Sequence, residues 1–121
     1  MAVEVSVRMI KTYAIITLQK EGFHQYINAP LDVAFLRSLH RHLFHITVKI
    51  DQFHDNRDIE YIKFKRYLEA TINFDRFDHS WSCEMIAKTI LDMINHQYPN
   101  RYISVKVMED GENGAEVEYI E

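Results

Sequence analysis

The segment Leu39-His40-Arg41-His42-Leu43-Phe44-His45-Ile46-Thr47-Val48-Lys49-Ile50 carries the most chemically suggestive spacing in the chain. Two imidazoles, His40 and His42, open a stripe that continues as Phe44, Ile46, Val48 and Ile50, while Arg41, His45, Thr47 and Lys49 alternate with it. Successive side chains of extended backbone point to opposite faces, so both imidazoles share a face with the apolar stripe. The strict period of two, the β-branched residues and the lack of Gly or Pro predict a strand. Residues two apart on a strand have Cα atoms roughly 6.6 Å apart. Both rings can therefore lean onto one cation, which takes imidazole nitrogen at about 2.1 Å. The plain alternative is a pair of satisfied or solvated histidines, since the chain has 7 in all. A catalytic zinc needs three protein ligands and one open position. His24, in Glu21-Gly22-Phe23-His24-Gln25-Tyr26 just ahead of the Asn28-Ala29-Pro30 breaker, is the best candidate for the third.

Other groups bear on the same question. Glu109 closes the stripe Ile103, Val105, Val107, and a carboxylate there either turns to water at a strand end or serves as an acceptor in a pocket. Cys83 reads by default as a small buried hydrophobe. His45 falls on the opposite strand face, and His54 and His96 fall in a loop and near a helix end, where solvent exposure is expected. Arg37, Arg41, Lys63, Lys65 and Arg66 form either a phosphate patch or a scatter of solvated charges.

The elements that must position these groups can be read in order. Val3 to Met9 alternates, and Tyr13 to Leu18 is a second β-rich run, with Lys11-Thr12 as a turn or a bend between them. In either case a strand leads toward His24. Asn28 to Leu36 reads as a loop with a short helical turn at Asp32 to Leu36. After the organising strand, Asp58 is placed to cap a helix over Ile59 to Ile72, with Tyr61, Phe64, Leu68 and Ile72 as its buried stripe. Phe74 to Trp81 is too short and polar for another element. A second helix begins at Ser82, a natural N-cap, carries Ile86 and Ile90 inward, and ends at Tyr98-Pro99-Asn100. Tyr102 to Glu109, the turn Asp110 to Gly114, and Ala115 to Ile120 make a closing hairpin. Helices that are not interleaved between parallel strands point to an α+β domain, an antiparallel sheet with two helices on one face in the order ββααββ. Open edges at this size favour self-association.

At 121 residues, 47% of them hydrophobic, the chain suits one compact domain over 1–121 with few long loops. A formal charge of -4 gives no general attraction for nucleic acid or an anionic membrane. No apolar run approaches membrane-spanning length, and the N-terminus lacks the layout of a signal peptide, so a cytoplasmic protein is expected. The single cysteine agrees with a reducing compartment.

Phe23-His24 before a loop, His40-Arg41-His42 opening a long strand, a helix, Asp78-His79, a helix led by Ser82-Cys83-Glu84, and Val105-Lys106-Val107-Met108-Glu109 before a last hairpin together give an order of features across nearly the whole chain. That order resembles the 6-pyruvoyltetrahydropterin synthase and 6-carboxytetrahydropterin synthase family. The resemblance implies zinc on His24, His40 and His42, a proton relay at Asp78 and His79, and Glu109 holding the aminopyrimidine edge of a pterin or purine-like ligand. It further implies the tunnelling fold (T-fold), trimeric barrels stacked into hexamers, and elimination of triphosphate from dihydroneopterin triphosphate. The family's general-base cysteine upstream of His-x-His has no counterpart, since Ala34, Leu36 and Ser38 occupy that neighbourhood. Asp32, His79 or a water on zinc would then replace the thiol, or the chain keeps the pocket as a non-catalytic pterin or purine-nucleotide binder.

Overall fold

The computed structural model describes residues 7–120. Its elements are β1 (Thr12–His24), a 3-10 segment (Leu31–Arg37), β2 (His40–Gln52), α1 (Tyr61–Thr71), a 3-10 turn (Phe74–Arg76), α2 (Cys83–Gln97), β3 (Ile103–Glu109) and β4 (Asn113–Glu118). The protein is α+β, with one four-stranded antiparallel sheet in the order β1-β2-β3-β4.

The register lines up the apolar halves of the strands. Ala14 faces Ile50, Ile16 faces Val48 and Leu18 faces Ile46. Across the next ladder Ile46 meets Val107, Val48 meets Val105 and Ile50 meets Ile103. These side chains and Phe64, Leu68, Ile86, Ile90 and Ile94 of the helices form one buried cluster. Both helices thus cover the same face of the sheet. Burial of that apolar surface is what holds the layers together, because each element has only one apolar side.

Local chemistry sets the helix ends, with one difference from expectation. Ser82 caps α2, its hydroxyl accepting the Met85 N–H at 3.3 Å. Glu60 rather than Asp58 caps α1, accepting the Lys63 N–H at 2.7 Å. Asp58 is taken by Arg101, with Nη1 at 2.6 Å, and by the Phe53 N–H at 2.8 Å. A guanidinium offers a carboxylate a stronger partner than an uncharged backbone amide does.

The first strand also differs. Positions 3–6 of the expected alternating strand lie outside the described residues, and Val7, Arg8 and Met9 are exposed and not in a strand. Thr12 pairs with Gln52, the last residue of β2, so the chain before it has no neighbour to extend the ladder. Thr12 to His24 is instead one unbroken strand without a turn at Lys11-Thr12. The expected loop before α2 contains the Phe74–Arg76 turn, where the Asn73 side chain accepts the Asp75 N–H at 3.0 Å.

Candidate metal centre

At one end of the sheet the covered face changes from apolar to polar. His24 lies directly opposite His40, and His42 lies opposite Gly22. On the far side of β2, Phe44 faces Glu109. Four groups able to bind protons or cations therefore come together through strand register alone.

The three imidazoles converge. Their ring centroids lie 4.7, 5.0 and 4.9 Å apart, at interplanar angles of 71°, 85° and 86°. One ligating nitrogen from each lies within 4.8 Å of the other two, an arrangement that could hold a metal ion. Tetrahedral coordination at about 2.1 Å spaces nitrogens about 3.4 Å apart. Small ring rotations close the difference.

Each ring is also held from behind. The Trp81 carbonyl lies 3.3 Å from His24 Nδ1, the Ser38 carbonyl 2.8 Å from His40 Nδ1, and the Asp110 carboxylate 2.6 Å from His42 Nδ1. The acceptors behind His40 and His42 assign the proton to Nδ1 and leave Nε2 with its lone pair, while His24 has an acceptor at each nitrogen, the Trp81 carbonyl at Nδ1 and the Glu109 carboxylate at Nε2. His42 Nε2 is buried and makes no hydrogen bond. Glu109 Oε2, at 3.6 Å, is too far to supply one. A buried polar atom without a partner is costly, on the order of 1–3 kcal/mol, and a cation held by His42 Nε2 together with the other two rings would remove that cost. The residues fit a divalent metal on this ground.

Glu109 sits at the rim of the trio. Its Oε1 lies 3.1 Å from His24 Nε2 and 3.6 Å from Cys83 Sγ. Burial holds His24 below the usual imidazole range, against the opposing pull of the Glu109 carboxylate. Burial, then the negative charge of Glu109, pushes the Cys83 thiol up to about 12. Cys83 is a neutral thiol at pH 7.

A cleft of about 600 Å³ opens beside these groups, lined by His24, His40, Trp81, Cys83 and Glu109 among others. That volume falls within the range of small-molecule sites. Trp81 and the carboxylate of Glu109 line this cleft and offer a planar heterocycle aromatic contact and hydrogen bonding.

Four of the six site residues expected from sequence are thus brought together: His24, His40, His42 and Glu109. Asp78 and His79 are exposed in the loop before α2. The Asp78 carboxylate accepts the Ser80 N–H and hydroxyl at 2.8 and 2.7 Å. His79 contributes its backbone, the carbonyl accepting the Gln25 N–H at 2.7 Å and so tying that loop to the end of β1. Two residues of the site were missed by sequence reasoning. Cys83 lines the cleft because the first turn of α2 abuts Glu109, and Asp110 reaches His42 from a turn whose Asp-Gly pair signals only chain reversal.

Neither protein-family models nor curated proteins gave a match to the chain. Among the described residues, no helix is long and apolar enough to cross a membrane.

Proposed function

We propose that His24, His40 and His42 hold a single zinc ion, and that the adjoining cleft takes a pterin or purine-like ring in the manner of the 6-pyruvoyl- and 6-carboxytetrahydropterin synthases. The observation that carries this reading is the convergence of three imidazoles, each with an acceptor behind its Nδ1, beside a carboxylate at the mouth of a cleft. Zinc bound there would supply Lewis acidity toward the oxygens of a ligand side chain. Glu109 accepts two parallel N–H bonds from an aminopyrimidine edge, which fixes the ring's orientation as well as adding affinity. Trp81 covers a ring face. On this reading the chain is a lyase that eliminates triphosphate from dihydroneopterin triphosphate in the cytoplasm.

A second reading, a binder that does not turn its ligand over, is favoured by three observations. The thiol nearest the site is protonated at neutral pH, and Asp78 is engaged by Ser80 rather than by an imidazole. In addition, no Lys or Arg is among the residues lining the cleft in the single chain, so a triphosphate finds no cation there.

Assembly belongs to the same proposal. Ile27, Leu31 and Phe35 expose 56%, 86% and 73% of their surface beside the cleft, and the outer edge of β1 is unpaired. A homo-oligomeric barrel, trimer or hexamer, covers such surfaces and removes the open edge.

The test is to load the protein with zinc, add dihydroneopterin triphosphate, and follow triphosphate release and pterin products, with His42→Ala and Glu109→Gln in parallel. Release lost in both variants supports the lyase. Tight binding of a pterin without product, weakened in Glu109→Gln, supports the binder. Neither release nor binding by the zinc-loaded protein refutes both.

A further inference from the structure

We infer that Asp110 is a positioning residue for the metal centre, its carboxylate locking His42 in the orientation and tautomer that present Nε2 to the ion. This rests on the reading that the three histidines bind a divalent cation, and it assigns a function to a residue outside the ligand set.

The geometry singles out His42 among the three rings. His24 and His40 lean on uncharged backbone carbonyls, whereas His42 Nδ1 lies 2.6 Å from a carboxylate oxygen. A carboxylate behind a ligating imidazole fixes its tautomer and makes the metal-facing nitrogen more basic. His42 is also the ring whose Nε2 is buried without a partner. The ring with most to lose from misorientation is thus the one that is most firmly held.

Asp110 is fixed in turn. Its other oxygen accepts the Leu43 N–H at 2.9 Å, and its own N–H donates to the Leu43 carbonyl at 2.8 Å. These bonds extend the β2–β3 pairing one step past Phe44 and Glu109, carrying the carboxylate to His42. The backbone conformation permits it. Asp110 and Gly111 have φ of 54° and 72°, and the Glu112 N–H closes the turn on the Glu109 carbonyl at 2.9 Å. Asn or Gly satisfies a left-handed turn position at least as well as Asp. Neither supplies two acceptor oxygens, and here two N–H donors, from Leu43 and His42, converge on the side chain. The turn alone therefore does not account for an aspartate, but the histidine does.

Asp110→Asn is the informative variant, because it keeps shape and turn preference while setting an NH2 group against one of the two donors. Asp110→Gly removes the contact and favours the turn. Zinc affinity, measured by competition with a chromophoric chelator, is expected to fall about 10- to 100-fold in both. Cobalt(II) put in place of zinc reports ligand geometry directly, so its visible bands should shift in both variants. In the metal-free wild type, long-range proton–nitrogen NMR should show His42 protonated at Nδ1, with mixed tautomers in Asp110→Asn. A purely structural role for Asp110 would move melting temperature but leave tautomer and cobalt bands alone. Affinity within threefold of wild type in both variants, or Nε2-protonated His42 in the metal-free wild type, overturns the inference by itself. A wild type that takes up no zinc overturns the reading of the site, and this inference with it.

Discussion

Zinc should raise the melting temperature of this protein with a slope that can be worked out without knowing its affinity. Unfolding of a chain of 121 residues carries an entropy of about 0.25 kcal/mol/K, from about 2.1 cal/mol/K per residue. A ligand that binds only the folded state adds about 1.4 kcal/mol for each tenfold rise above its dissociation constant. The two together give about 5 °C per decade of free zinc. The unfolded chain has no converged trio, because His24 and His40 meet only through the β1–β2 register. His42→Ala removes one of the three imidazoles, so its response to zinc should disappear whatever its metal-free melting temperature. The assay is thermal unfolding of chelator-stripped protein in buffered zinc, followed by circular dichroism, with His54→Ala as a control for a histidine outside the trio. A flat wild-type response, or equal slopes in wild type and His42→Ala, would refute the argument that these three nitrogens form one site.

Gly22→Ala should destabilise the fold by about 1–3 kcal/mol, or roughly 4–12 °C in melting temperature, since overpacking a filled interior costs that much. The added Cβ would sit 2.7 Å from Phe74 Cδ1 and 3.0 Å from Phe44 Cε2, within a stacked ring pair that cannot yield without moving the floor below His42. Differential scanning calorimetry checks it, and an unchanged midpoint would count against the packing argument. The Asp58–Arg101 pair predicts a pH dependence. Arg101 holds the Asp58 carboxyl below its usual range, so the pair stabilises the fold above the ordinary carboxylate value and loses that contribution as pH falls through the depressed one. Asp58→Asn should therefore melt below wild type at pH 6–7, and the gap should close below about pH 4. A gap independent of pH would argue that packing, not charge, is what the aspartate provides.

How much of this was legible in the sequence depends on the range of the forces involved. The strand from His40 was readable because period two is a local property, and so was the shared face of His40, His42 and the apolar stripe. The place of His24 beside His40 was readable because a residue closing one strand before a short connection meets the start of the next. The Ser82 cap and the closing hairpin were local as well. Asp58 misled because capping competes with a partner, Arg101, that lies 43 residues away. The run up to Met9 alternates, but alternation without a neighbouring strand makes no ladder. Cys83 and Asp110 join the site only through the packing of α2 on β3 and the return of the last turn to β2, and spacing carries no trace of either.

All three imidazoles belong to a single hairpin arm pairing, thirteen residues against thirteen. Sliding one arm past the other by a single residue would turn His24 to the opposite side of the sheet, away from His40 and His42. An ion held by His24, His40 and His42 would oppose any such slip. Metal binding would therefore report on the β1–β2 alignment itself, since only the correct register puts His24 opposite His40.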